Sequence, residues 1–143
     1  MIVTVIDSSA WVDAIASGGP EMLAVERAFA LGAVAGCDKL WEEIHWALTR
    51  KCHLPADVVA DDLEFYRGHS LDIKITGSVR GSVDPDDDFI LECAVKAGAR
   101  AIVSNDLKHL VRMQSFECIP ILTPPEYLVF AFAAESGSAA DAG

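Results

Sequence analysis

Residues 84–106, Asp84-Pro-Asp-Asp-Asp-Phe-Ile-Leu-Glu-Cys-Ala-Val-Lys-Ala-Gly-Ala-Arg-Ala-Ile-Val-Ser-Asn-Asp106, constrain the fold more than any other stretch. They predict one helix, then one buried strand, with a carboxylate at each end. Pro85 suits the first helical position, where its missing N–H would be unpaired anyway. Asp84 then stands at the N-cap. Asp86, Asp87 and Asp88 fill a first turn in which the helix dipole favours negative charge. Gly98 ends the helix. Residues 101–104 form a short apolar run suited to a buried parallel strand. Asp106 emerges just past that strand's C-terminal end, the edge where open α/β sheets put their sites.

Capping explains part of the acid cluster, but three consecutive acids exceed what one cap needs. Like charges crowded at one place repel unless a cation neutralises them. With Ile90, Cys93, Ala94 and Ala97 as the core face, at about 100° per residue, Asp87 falls near that face. Asp88 is expected to point well away. A carboxylate on the buried side of a helix start needs a partner, which singles out Asp87.

The rest of the chain alternates strands and helices. Residues 2–6 read as a strand, with Asp7 at its C-terminal end as either an N-cap or a site acid. A helix follows to about Ala16, and Ser8 either caps it or holds a metal-bound water. Residues 21–31 read as a helix and 32–37 as a strand of small residues. Residues 39–51 read as a helix capped by Asp38, with an apolar stripe of Leu40, Ile44, Ala47 and Leu48. Glu43 borders that stripe and can look into a cleft, while Glu42 faces water. Residues 56–67 form a helix packed by Val58, Val59, Leu63 and Phe65 or Tyr66, and its acids form a solvated face. Residues 71–75 form a strand, and a flexible loop, 76–82, carries Arg80, the basic residue best placed for substrate. Residues 107–113 form a short helix with Lys108, His109 and Arg112. Residues 118–122 form a strand, and Thr123 caps a last helix.

This order predicts a three-layer α/β/α sandwich around a central, mostly parallel sheet. The 143 residues suffice for one core. No repeat or linker divides them, so a single domain over 1–133 is expected. An Ala/Ser/Gly tail, 134–143, is expected to be disordered. No apolar run approaches the roughly 20 residues of a membrane span. The N-terminus reads as a strand, not a signal peptide. Cys37, Cys52, Cys93 and Cys118 lack Cys-x-x-Cys spacing and read as reduced core thiols in a cytoplasmic protein. A net charge of -11 argues against broad nucleic-acid binding. It leaves a nuclease open, because a carboxylate site binds cations before phosphate approaches, and a basic partner could cover the acidic surface.

Under this fold Asp7 and Asp106 project from strand ends, with Glu43 and Asp87 at nearby helix starts. Hard oxygen ligands of this kind select Mg²⁺ or Mn²⁺. Such a centre orients water and stabilises a phosphodiester in transfer.

Four segments together carry a family likeness: Val5-Ile-Asp7-Ser-Ser-Ala-Trp-Val12, Leu40-Trp-Glu-Glu43-Ile, Asp84-Pro-Asp-Asp87-Asp-Phe-Ile-Leu, and Ile102-Val-Ser-Asn-Asp106-Leu-Lys-His-Leu110. In order and spacing they resemble the PIN-domain ribonucleases, and Ile121–Leu128 is similar to the last strand and helix of that family. The resemblance implies that Asp7, Glu43, Asp87 and Asp106 are the catalytic, metal-binding acids, assisted by Ser8, with Asp84 beside them. It implies a small endoribonuclease similar to the VapC-like toxins, acting on single-stranded or structured RNA. It also implies a homodimer, silenced by a cognate antitoxin. Ser9 stands where Asn is common, and Asn105 where Gly is common; neither change removes a carboxylate. A haloacid-dehalogenase-type phosphotransferase would need an Asp at position 9. A dinucleotide site would need Gly-x-Gly-x-x-Gly after the first strand, and it is missing. A catalytically silent PIN-like binding module is the alternative.

Overall fold

The computed structural model describes residues 1–142, and side-chain surroundings through residue 137. Strand β1 (Ile2–Ile6) lies inside the sheet. Its one polar residue, Thr4, is buried and shares a 3.0 Å hydrogen bond with the Tyr127 hydroxyl. A strand with no wet face suits a parallel sheet covered on both sides. Strand β2 (Gly32–Gly36) pairs parallel with β1, with Val5 opposite Ala35. On the other side β4 (Ala101–Val103) pairs parallel with β1, with Val5 opposite Ile102. Beyond β2 lies β3 (Leu71–Asp72); beyond β4 lie β6 (Ile119–Leu122) and β5 (Ser115–Phe116). The spatial order is β3-β2-β1-β4-β6-β5, parallel throughout except for β5 against β6.

Six helices flank the sheet among the described residues: α1 (Ser8–Ser17), α2 (Gly19–Leu31), α3 (Asp38–Trp46), α4 (Ala56–Gly68), α5 (Asp88–Ala97) and α6 (Pro124–Ala142). Helices α2 and α6 pack on each other, while α5 lies against β1 and β2. The predicted three-layer α/β/α architecture is the one observed. Trp11 joins α1 to α3 and α4, with ring centroids 5.3 Å from Trp41 and 5.0 Å from Tyr66. The small residues of β2 make room for this cluster. A Cβ at Gly36 would stand 2.9 Å from the Trp41 indole, and one at Gly32 would stand 2.3 Å from the Ile2 carbonyl oxygen.

Several boundaries differ from the sequence reading. The cap of α3 is Cys37, in extended backbone, and Asp38 is its first helical residue, paired with Arg67. The α3 pattern does not run on as α-helix to Lys51. It widens into a π turn over Ala47–Lys51, where the Thr49 hydroxyl donates back to the His45 carbonyl at 2.8 Å. Val58 and Phe65 are exposed, leaving Val59 and Leu63 to pack α4. The third strand stops at Asp72; the Ile73 amide still donates to the Gly36 carbonyl at 2.9 Å, and the amides of Thr76, Gly77 and Ser78 turn to the Glu92 carboxylate instead. Residues 107–113 form only a turn and a short 3-10 segment, Val111–Met113. Cys118 does not begin a strand. It is exposed in the tight β5–β6 turn, with φ of 66° beside Glu117 at 48°. Helix α6 continues past Ala134 to Ala142, where a disordered tail was expected, and Arg27 pairs with Glu135 at 2.8 Å. Alanine is the best helix former, so an alanine-rich composition carries the helix onward. Gly143 lies outside the described residues.

Candidate metal centre

Asp7 follows β1 directly, and its backbone N–H donates to the Val103 carbonyl at 2.8 Å. That bond carries the β1–β4 pairing to the C-terminal edge of the sheet. The Asp7 side chain is 4% exposed and held on three sides. It accepts from the Ser8 amide at 2.8 Å, the Ser9 hydroxyl at 2.8 Å and the Ser104 hydroxyl at 2.9 Å. Burial raises its pKa; the three hydrogen bonds oppose that, and the charge of Asp106 adds to it.

Ser9, expected only as a departure from a common Asn, and Ser104, given no role in the sequence, tie the two strand ends together. The Ser9 hydroxyl accepts from the Asn105 amide at 3.0 Å, and the Ser104 hydroxyl from the Asp106 amide at 3.0 Å. The Asn105 side chain donates to Asp13 at 2.7 Å and to Glu21 at 3.2 Å, clear of the acids. Serines just past buried strands were the available signal, since a buried hydroxyl there needs a partner.

Glu43 is half-buried on α3, and Glu42 is exposed, as the helical spacing predicts. Burial raises the Glu43 pKa, Lys39 lowers it, and the charges of Asp7 and Asp86 raise it further. The nearby Ser8 side chain works the other way and lowers it. Asp87 closes the group. Burial, then the charges of Asp7, Asp106, Asp84 and Glu43, push its pKa up to about 7 from the ordinary 3.8. Asp87 thus lies within electrostatic reach of Asp7, Glu43, Asp106 and Asp84, and Asp7 within reach of Glu43 and Asp106.

Two residues stand otherwise than expected. Asp88 does not point to water. It is 8% exposed and accepts from the Ser82 amide at 2.9 Å and the Ser82 hydroxyl at 2.7 Å. The chain enters α5 through a tighter 3-10 turn, Pro85–Asp87, which shifts the phase of the wheel. The preceding loop also covers the face the wheel assigned to solvent. Arg80 is exposed and turns back on its own loop, donating to the Gly77 carbonyl at 2.6 Å. Asp84 caps the 3-10 turn, accepting from the Asp86 amide at 3.0 Å. Lys108 is exposed just beyond Asp106.

The residue that sequence reasoning left out of the site is His109. Its Nδ1 lies 3.3 Å from one Asp106 oxygen, and its backbone N–H donates to the other at 3.1 Å. Ligand atoms of Asp84, Asp87 and His109 all lie within 4.8 Å of one another. This is the tightest group of possible ligands among the described residues, and it shares only Asp87 with the predicted four. The spacing Asp106-x-x-His109 was the signal, because a turn after the strand brings the imidazole back over the acid.

The profile of the PIN domain matches residues 3–108. The chain belongs to the PIN domain family. PIN domains are typically metal-dependent nucleases that use divalent ions, and the acids described above lie within the matched span. The match ends at Lys108, so β5, β6 and α6 lie beyond it. No curated protein matches the chain. No helix among the described residues is long and apolar enough to cross a membrane. The donor chemistry of this PIN domain fits a divalent cation. Carboxylates crowd at one edge, and Asp87, raised to about 7 first by burial and then by the charges of its acidic neighbours, is a carboxyl that a cation would relieve.

Proposed function

We propose that this PIN domain is an Mg²⁺- or Mn²⁺-dependent endoribonuclease, the toxin of a VapC-like toxin–antitoxin pair, working in the cytoplasm as a homodimer. The observation that carries the nuclease reading is the gathering of possible ligands at this edge: atoms of Asp84, Asp87 and His109 lie within 4.8 Å of one another, and burial, then the charges of Asp7, Asp106, Asp84 and Glu43, raise the pKa of Asp87 to about 7. Asp7, Glu43, Asp87 and Asp106 would hold the cation, with Asp84 and His109 alongside. A bound divalent ion supplies charge neutralisation for a phosphate and an acidified water as nucleophile. The protein's own groups do the rest. Ser9 and Ser104 fix the Asp7 carboxylate. Asp87, raised to about 7, can take up or return a proton near neutral pH, and burial shifts Glu43 in the same direction. Lys108, exposed just beyond Asp106, and Arg80, exposed on its loop, are the cations we assign to an RNA backbone. The toxin, antitoxin and homodimer assignments rest on family likeness. The net charge of -11 favours a basic partner over the acidic surface.

One observation favours the silent-module alternative: both Asp106 oxygens are already engaged by His109. A comparison on α3 separates the readings. Glu43→Gln is expected to abolish metal-dependent cleavage of single-stranded RNA, while Glu42→Gln, one position away but facing water, leaves it nearly intact. Initial rates in Mn²⁺ measure both. Equal effects from the two substitutions would remove Glu43 from the site, and no cleavage by the unmodified protein would favour the silent module.

A further inference from the structure

Helix α5 carries a second pair of buried acids that the proposed chemistry does not use. Glu92 is 1% exposed, although nothing in the apolar pattern around it calls for a carboxylate. It accepts from three successive backbone amides: Thr76 at 2.5 Å, Gly77 at 2.8 Å and Ser78 at 3.1 Å. Lys96, one turn on, lies 2.7 Å from it and also donates to the Lys74 carbonyl at 3.1 Å. One turn back, Asp88 holds the Ser82 amide and hydroxyl, and that hydroxyl also bonds the Asp84 carbonyl. These hydrogen bonds hold the Glu92 pKa down to about 2 and keep that of Asp88 below the ordinary range.

Residues 88, 92 and 96 form an i, i+4 row on one face of α5. The row laces down a loop that has no ladder of its own. After Ile73 donates to Gly36, the segment is anchored at 76–78 by Glu92 and at 82 by Asp88. Between these anchors Gly81, at φ 138°, lets the chain pass against Phe116, where a Cβ would stand 2.7 Å from the ring. The segment ends in Asp84 and the 3-10 turn that presents Asp87. Bare packing would be served as well by apolar residues at 88 and 92. Two buried, ionised acids are held there because the loop's amides, the Ser82 hydroxyl and the Lys96 ammonium satisfy them.

We propose that Glu92 and Asp88 are positioning residues that set, through the 76–84 loop, where Asp84 and Asp87 stand relative to Asp7. The role deepens the nuclease reading and rests on it for its effect on cleavage; its effect on loop geometry does not. Glu92→Gln removes the charge and turns one acceptor into an NH₂ facing N–H donors. The expected results are at least tenfold faster amide exchange at 76–78 and, beyond it, at Asp86 and Asp87. The Kd for Mn²⁺ rises about tenfold, the usual scale for losing a residue that orients metal ligands. Ser82→Ala is expected to speed exchange at Asp86 and Asp87 by a smaller factor while leaving 76–78 slow. Tyr127→Phe, which breaks a buried hydrogen bond remote from the cleft, serves as the control for general destabilisation and should change neither readout.

Exchange at Asp86 and Asp87 unchanged in both variants would overturn the proposal, as would an effect equalled by Tyr127→Phe. If Glu92→Gln does not fold, Ser82→Ala alone decides by the same criterion. If the unmodified protein neither binds Mn²⁺ nor cuts RNA, the nuclease reading falls, and the exchange data still decide the positioning role.

Discussion

Asp7→Asn and Asp87→Asn are each expected to lower Mn²⁺-dependent RNA cleavage by at least about a hundredfold, a loss of about 2.7 kcal/mol of transition-state stabilisation. The two substitutions are nearly isosteric, so the fold should persist. Asn at position 7 keeps one oxygen for the Ser8 amide, and its NH₂ faces the hydroxyls of Ser9 and Ser104, which can rotate to accept. What goes is charge at the point where a cation and a phosphate must meet. The Asp87 carboxyl feels the charges of Asp7, Asp106, Asp84 and Glu43, so Asp87→Asn alters the field of that group. Initial rates on labelled single-stranded RNA at saturating Mn²⁺ give the comparison, with far-UV circular dichroism to confirm folding. Rates within tenfold of the unmodified protein for both variants would place the chemistry elsewhere.

Asp87→Asn is also expected to stabilise the metal-free protein at alkaline pH. The folded pKa of Asp87 is about 7, above the ordinary 3.8, so the folded state holds a proton the unfolded state has lost. Stability from this group is therefore full below about pH 4 and falls as pH rises through 7. Burial moves Asp7 and Glu43 in the same direction. Glu92 and Asp88 have the opposite sign, but the contribution of Glu92 is lost only as pH falls toward 2, outside the range tested. A rise from 3.8 to about 7 is worth about 4 kcal/mol at most. Asp87 is only partly buried, and solvent screening reduces this to roughly 1–2 kcal/mol. That is a melting difference of about 3–8 °C between pH 5 and pH 8 in chelator, largely absent from Asp87→Asn. Mn²⁺ at a hundredfold excess over Kd should restore about 2.7 kcal/mol at pH 8, a rise of about 5–10 °C, and restore less in the variant. Equal pH slopes in the two proteins would contradict the crowding of acids around Asp87.

The strand ends were readable because β1 and β4 are short apolar runs that finish in an acid. Their parallel pairing brings Asp7 and Asp106 to one edge with no further information needed. Glu43 was readable because α3 is a regular helix, in which one position decides cleft or water. Asp88 was misread because the wheel assumed one helical pitch from Asp84 onward and no cover over α5. Both assumptions depend on the loop at 76–82, whose path is set by Glu92, and a lone Glu among apolar residues does not announce three amide partners. The β5–β6 hairpin was missed for a related reason. Its left-handed turn residues are Glu117 and Cys118, where such turns ordinarily signal themselves with Asn-Gly. His109 escaped because its role depends on a turn rather than a helix after β4.

Cleavage of a labelled single-stranded RNA by the full chain, followed while Mn²⁺ is titrated from chelator to saturation, tests the central claim most directly. The account predicts no cutting in chelator, a rate that rises and saturates with Mn²⁺, and loss of that rise in Asp87→Asn. Cutting that persists in chelator, or a Mn²⁺ response identical in the unmodified protein and Asp87→Asn, would contradict a metal-dependent centre built on these carboxylates.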